Sequence, residues 1–322
     1  IAGTMITAAS NSWISMWVGL EINLLSIIPL MSNIKNKMES EAAMKYFITQ
    51  AMASTIFMLT IIIMLSNNDT LLSTKMSSIT MDLAILTKMG AAPFHFWFPE
   101  VMEGLSWNNS MIMLTWQKIA PMTIFMYTPK PLMFTVAIIM SSMMVSGLMG
   151  INQTSMRKIL AYSSINHIGW MIGAMLTNQS LWLIYFIIYS TMTVNMTMMF
   201  KLMNISSINQ MMNSMNQSKI TKIMFSMNFL SLGGIPPFIG FFPKWITINS
   251  LIQEKMYTMT LIMILMTLMT LVFYMRITFT AGIMNTTETP IKKNTTSTNK
   301  LIMSNFMVLS LLSACPLTIN FT

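Results

Sequence analysis

The sequence predicts an all-α polytopic membrane protein of about eleven transmembrane segments, most of them in two inverted five-helix repeats that each contain a broken helix. Three observations lead there. The chain of 322 residues is 54% hydrophobic and only 8% charged, with a mean hydropathy of +0.63. A soluble domain of that length needs far more charge on its surface. Apolar stretches of bilayer-crossing length alternate with short polar turns from end to end. Finally, two stretches 144 positions apart share one pattern, G-x-x-P-F-x-x-x-F-P.

In chain order, the apolar segments begin with a stub at 1–9. A bilayer core needs about 20 helical residues, so the stub cannot cross alone; with Ile1 in place of a methionine, about ten residues are expected to be missing before it. Spans follow at 12–31 and 41–65. The segment 77–104 is broken by Gly90-Ala-Ala-Pro93-Phe94-His95-Phe96-Trp97-Phe98-Pro99. Next come 108–127, 131–150, 156–176 and 180–202. The segment 220–249 is broken by Gly234-Ile-Pro-Pro237-Phe238-Ile239-Gly240-Phe241-Phe242-Pro243, and 256–280 and 301–319 complete the set. A proline inside a helix removes a backbone donor and clashes with the preceding turn. At membrane depth an opened backbone survives only inside protein or along a hydrated cavity. Paired Gly/Pro interruptions at matching places in two halves therefore point to an ion or substrate site. The expected division is 1–127 for the first repeat, 131–280 for the second, and 281–322 for a loop and a last helix.

Basic residues orient the spans. Twelve lysines and arginines fall on the face of the connections 32–40, 151–155, 203–219 and 281–300, against Lys75, Lys130 and Lys255 on the other. That is a strong positive-inside asymmetry, and it accounts for the net charge of +9 without a nucleic-acid partner. The loops 203–219 and 281–300 read as surface turns without chemistry.

Three lysines stay inside the membrane. Lys88 lies two residues before the first break, Lys244 directly follows the second, and Lys118 sits at the middle of 108–127. Glu21 and His167 are also at midspan, and His95 is in the first break. An ionised group at a helix centre costs about 2.5–3.5 kcal/mol on insertion scales, so these side chains should face the protein interior and find partners or water. A packing ion pair is the alternative for Glu21 and Lys118, carbonyl capping for Lys88 and Lys244, and a hydroxyl-satisfied core position for His167 and His95. Asp82, nearer a span end and off the Lys88 face, reads as structural. A row of groups that hold and lose protons is what a buried proton path requires. Glu21 and Lys118, at similar depth, are expected to act as an electrostatic pair at about 8 Å.

Other chemistry is excluded by composition. One cysteine, Cys315, allows no disulfide framework or Cys-ligated cluster, and the two histidines have no metal-motif spacing. There is no phosphate loop, nucleophile elbow or dinucleotide fingerprint. The 43 methionines fit flexible packing filler, or a genome whose code gives methionine an extra codon, as animal mitochondrial codes do.

The segment from Asn11 to Pro29, the run Lys88 to Glu100, Trp116-Gln-Lys118-Ile-Ala-Pro121, Asn152 to His167 and Asn228 to Trp245 together resemble the family of mitochondrially encoded second subunits of NADH:ubiquinone oxidoreductase, respiratory complex I, in its insect form. The resemblance runs from Ile1 to about Arg276. It implies an antiporter-like fold in the mitochondrial inner membrane with the basic face towards the matrix. It also implies proton translocation through Glu21, Lys88, Lys118 and Lys244, with His167 and His95 alongside. Neighbouring subunits 4 and 4L and phospholipids are the implied partners. Flavin, iron–sulfur clusters and quinone are implied for other subunits, and no cofactor for this chain. A free-standing monovalent cation/proton antiporter shares the same features. A membrane scaffold without transport leaves the midspan charges unexplained.

Overall fold

The computed structural model describes residues 1–33, 36–66, 71–215 and 219–283. The expected last span 301–319, Cys315 and the connection beyond Ile283 lie outside them. Among the described residues every regular element is a helix: α1 (Ala2–Ala9), α2 (Trp13–Met31), α3 (Lys37–Ser66), α4 (Leu71–Met89), α5 (Trp97–Gly104), α6 (Trp107–Leu114), α7 (Trp116–Tyr127), α8 (Leu132–Ile151), α9 (Met156–Thr177), α10 (Gln179–Met203), α11 (Ile208–Met215), α12 (Lys219–Gly233), α13 (Phe241–Gln253) and α14 (Tyr257–Ile283). Of these, α2, α3, α8, α9, α10 and α14 are each long and apolar enough to cross a membrane unbroken. The expected spans 77–104, 108–127 and 220–249 are each divided into two shorter helices, and Lys88, Lys118 and Lys244 lie on them.

The chain forms two compact units, Ile1–Ser142 and Met143–Thr322, so the division falls within α8. In the first unit α1 packs on α2, α3 lies against both α4 and α5, and α4 lies against α7. In the second, α9 is the central helix, enclosed by α10, α13 and α14. It is buried along 94% of its apolar window, so its polar residues have only protein to bond. Helices with one open face, such as α3 and α14, present long apolar side chains there, among them Leu59, Ile62, Leu65, Leu261, Leu265 and Leu268. This pattern suits lipid and partner helices better than water.

Two elements differ from the sequence expectation. The span 108–127 is interrupted: α6 ends at Leu114, Thr115 takes φ −112° and ψ −74°, and α7 restarts at Trp116. The Thr115 hydroxyl donates to the Met111 carbonyl at 2.8 Å, a back-bond that bends helices. Pro121, inside α7, supplies no N–H for the Gln117 carbonyl. Lys118 thus starts a half-helix instead of sitting in mid-helix. In addition, 203–219 is not only turns, because α11 forms within it. Ser207 caps this helix, accepting from the Gln210 N–H at 3.4 Å, while the Gln210 side chain accepts from the Ser206 N–H at 2.9 Å. That reciprocal cap is written in the sequence as Ser207-x-x-Gln210. Backbone bonds from Met156 to Ser206 and from Ile208 to Thr154 tie α11 to the 151–155 connection.

Candidate functional site

Both breaks are built by the same backbone bonds. At the end of α4, the Gly90 and Ala91 N–H groups donate to the Leu86 carbonyl at 3.0 and 3.1 Å; at the end of α12, Gly234 and Ile235 donate to Leu230 at 3.1 and 3.3 Å. Gly90 has φ +74° and Gly234 φ +76°, the left-handed C-terminal stop that glycine adopts without a Cβ penalty. Each following turn closes alike, Phe98 donating to His95 and Phe242 to Ile239. The helices then resume at Trp97 and Phe241, which makes Pro99 and Pro243 the third residue of α5 and of α13. In a first turn the missing proline donor has no intrahelical partner to lose. These two prolines therefore begin the second half-helices. The stopping is done by Gly90 and Gly234, and Pro93 and Pro237 lie in the open turns.

A stopped helix leaves its last carbonyls without partners, and both breaks recruit side chains to them. The Trp97 indole donates to Thr87 O at 3.0 Å, Gln50 Nε2 to Lys88 O at 3.5 Å, and the Ser141 hydroxyl to Ala92 O at 3.0 Å. In the second break Lys244 Nζ donates to Gly233 O at 2.8 Å. Capping, one of the two readings for Lys244, is thus realised in its geometry. It leaves the ammonium a further two hydrogens and holds it at a carbonyl that it can leave.

Lys88 is buried beside a cavity of about 20 Å³ lined by Asn23, Gln50 and Gln117 among others, room for about one water molecule. Glu21 is the acidic group whose charge reaches Lys88. The Glu21 side chain opens on a groove of about 650 Å³ between α2 and α3, lined by Trp17, Ser54, Thr55 and aliphatic residues. Its Oε1 is buried without a hydrogen-bond partner among the described residues. Lys118 is 2% exposed, and its ammonium sits 5.6 Å from the centroid of the Phe98 ring, a cation–π distance. His95, also buried, bonds through Nδ1 to the Pro93 carbonyl at 3.2 Å inside the first turn. Glu21, Lys88, Lys118 and His95 all belong to the first unit.

His167 and Lys244 belong to the second, which has a different chemistry. Its described residues contain one acid, Glu254, at the exposed end of α13. His167 Nδ1 lies 2.9 Å from the Tyr185 hydroxyl, and its ring is 5.0 Å from that of Tyr189. Asn166 donates to the Thr270 hydroxyl at 3.3 Å, and Asn195 to Asn228 Oδ1 at 3.1 Å. The buried polar groups around His167 are hydroxyls and amides, with no carboxylate among those that bond. The tyrosines were not legible as functional from sequence, because aromatic residues on apolar helices are ordinarily packing. The only signal was their spacing, Tyr185 and Tyr189 falling on one helix face. No group of three or more His, Cys, Asp or Glu among the described residues could hold a metal ion.

A family model described as NADH:quinone oxidoreductase/Mrp antiporter, TM, matches residues 10–270. The chain is 47% identical over 288 residues to NADH-ubiquinone oxidoreductase chain 2 of Anopheles gambiae, covering 88% of this chain and 84% of that one. It is 45% identical to the same protein of Locusta migratoria, over 99% of this chain and 94% of that one. The chain belongs to the NADH-ubiquinone oxidoreductase chain 2 family. For a chain 2 protein the fold agrees with solved structures. It superposes with a TM-score of 0.85 and 22% identity on a chain of respiratory complex I from Thermus thermophilus with bound aureothin, covering 97% of this chain and 75% of that one. A chain of the membrane-bound sulfane sulfur reductase, an archaeal respiratory membrane complex, gives 0.81 at 15% identity over 99% and 72%. This chain 2 family member is thus a multi-pass membrane protein with the antiporter-like fold.

Proposed function

We propose that the chain is a proton-translocating subunit in the membrane arm of NADH:ubiquinone oxidoreductase, coupling electron transfer from NADH to ubiquinone to proton movement. The observation that carries the reading is the pair of matched helix stops, each with a buried lysine beside it, in a chain of the chain 2 family. Glu21, Lys88, Lys118 and His95 would carry protons in the first unit, and His167 and Lys244 in the second. Each has a role that its chemistry allows. Glu21 and Lys88 exchange a proton when hydration beside Lys88 changes. Lys244 releases the Gly233 carbonyl when it loses its charge. His167 takes up a proton at one ring nitrogen and releases another from the second, with Tyr185 at Nδ1. Redox cofactors and the quinone site belong on this reading to other subunits, with subunits 4 and 4L as neighbours and phospholipid around the open apolar faces.

Isolation through a tag on this chain tests the reading against a free-standing antiporter. The expected result is co-purification with NADH-oxidising peripheral subunits and NADH-driven acidification in sealed vesicles. A chain that purifies alone and exchanges sodium or potassium for protons overturns it. The orientation is tested separately. With the basic connections in the matrix of mitochondria, a C-terminal tag faces the intermembrane space and is digested in mitoplasts. A tag protected there reverses the arrangement.

A further inference from the structure

Asp82 is the buried ionisable group that the pathway above does not use. It lies on α4, six residues before Lys88, so it is about 9 Å along the axis from that lysine, towards the end of α4 that meets the α7–α8 connection. Six residues turn a helix through about 600°, which puts the two side chains on different faces. Asp82 is 0% exposed; neither carboxylate oxygen has a hydrogen bond of good geometry among the described residues, although the Thr128 hydroxyl is near enough to offer it one. An ionised carboxylate in that state carries a desolvation penalty of several kcal/mol with little to offset it but that hydroxyl and distant charge. A neutral carboxylic acid carries far less.

The surroundings give that acid somewhere to send a proton. The polar groups that act on it are Thr128, at the end of α7, and Lys130, in the connection to α8. The Thr128 hydroxyl bonds the Phe125 carbonyl at 3.0 Å, so its one rotatable hydrogen is shared between that carbonyl and Asp82. Lys130 is half-buried, its ammonium 5.5 Å from the Phe125 ring centroid. Burial lowers the pKa of Lys130, and the charge of Asp82 pulls it back up. Other ionisable groups on the packed elements are few. On α4 there is Lys75, whose side chain is outside the described residues, and Lys88; on α7, Lys118 near the far end and Tyr127, which is exposed. The facing half of α3, residues 53–66, has none.

We infer that Asp82, Thr128 and Lys130 form a proton-exchange site at the α7–α8 end of the first unit, joining the Lys88 region to the water outside. The inference rests on the proton-translocating reading and adds an outlet to it. In the exchange the O–H bond of the Asp82 carboxylic acid breaks and the proton passes to water beside Lys130. The carboxylate left behind is stabilised by the Lys130 ammonium until a proton arriving from the Lys88 side re-forms the O–H bond. No oxidant or reductant is involved, and charge is restored on each cycle. Lys130 is tethered between Pro129 and Pro131 in a short connection, and its charge acts on the carboxylate.

The test uses the intact complex in sealed vesicles. Infrared difference spectra between the parent and Asp82→Asn should contain the carbonyl stretch of a protonated carboxylic acid. NADH-driven proton pumping in the variant should fall by about a hundredfold, the lower end of the range for removing a proton-transfer group. Asp82→Glu should restore both signals. Lys130→Met should lower pumping in the same direction, and Lys130→Arg should retain it, which covers the case in which Asp82→Asn does not assemble. Absence of the carbonyl band from the difference spectrum overturns the inference, and so does full pumping in Asp82→Asn or in Lys130→Met. Lys118→Met and Lys244→Met separate this failure from failure of the underlying reading. Pumping that is normal in both Lys118→Met and Lys244→Met removes the underlying translocation reading, whereas pumping lost in those variants but kept in Asp82→Asn removes only the outlet.

Discussion

A Lys118→Met complex should assemble, oxidise NADH through its peripheral part, and show coupled quinone reduction and proton pumping lowered by about a hundredfold. Assembly should survive because the change suits the site. Lys118 is enclosed by protein and faces the Phe98 ring, and methionine keeps the length and most of the bulk while pairing well with an aromatic ring. Replacing a buried charge by an apolar side chain of similar volume is often neutral or stabilising. The function should not survive, on energetic grounds. Two unit charges about 8 Å apart at an effective dielectric of about 20 interact by about 2 kcal/mol. A proton moved against about 200 mV needs about 4.6 kcal/mol. No single pair spans that difference, so several groups must act in series, and removing one leaves a gap that its neighbours cannot bridge. Pumping and quinone reductase rates on the same preparation decide the matter. A normal ratio of protons to electrons would make Lys118 a packing residue.

The sequence made the breaks legible because each is specified locally. A glycine that must take positive φ, a proline in the open turn and a proline at the restart leave an unmistakable trace, and the trace occurs twice. Burial of Lys88, Lys118 and Lys244 was equally legible, since a lysine in mid-span can go nowhere else. What escaped were features that depend on a second element. The charge of Glu21 reaches Lys88, a relation that sequence depth alone does not reveal, since which side chains meet depends on how α2, α3, α4 and α7 rotate about their axes. Whether a neighbour offers Asp82 a hydrogen bond likewise does not follow from its distance from a span end. The break at Thr115 lacks a glycine and was hidden in a continuous apolar run. The prolines at 99 and 243 were read as breakers, yet their position relative to the preceding glycine stop makes them helix starters. The tyrosines around His167 needed the packing of α10 and α14 on α9 to show what they face.

Gly240→Ala should abolish assembly of the complex, a larger effect than any removal of charge in the second unit. Gly240 is the residue from which α13 restarts, and its backbone is in the right-handed region, φ −62° and ψ −16°, so alanine is not excluded by its dihedrals. Space excludes it. A Cβ built there would overlap the Ser231 carbonyl oxygen and lie 2.9 Å from the Ser231 carbonyl carbon. Those are backbone atoms in the last turn of α12, and they cannot swing away as a side-chain tip can. Relief requires α12 and the turn 234–240 to separate by more than an ångström. Such a shift would pull Gly233 O from Lys244 Nζ, now at 2.8 Å, and cost the buried ammonium a charge-assisted hydrogen bond of about 1.5–3 kcal/mol. Added to the overpacking penalty of about 1–3 kcal/mol, the total is a large fraction of the about 5–15 kcal/mol by which a typical domain is stable. Native gel electrophoresis should show the complex missing or stalled as a sub-assembly. Lys244→Met provides the contrast, because it removes the ammonium without the clash, and it should assemble while losing pumping. A Gly240→Ala complex at normal abundance would mean that the two half-helices of the second break are not packed backbone against backbone.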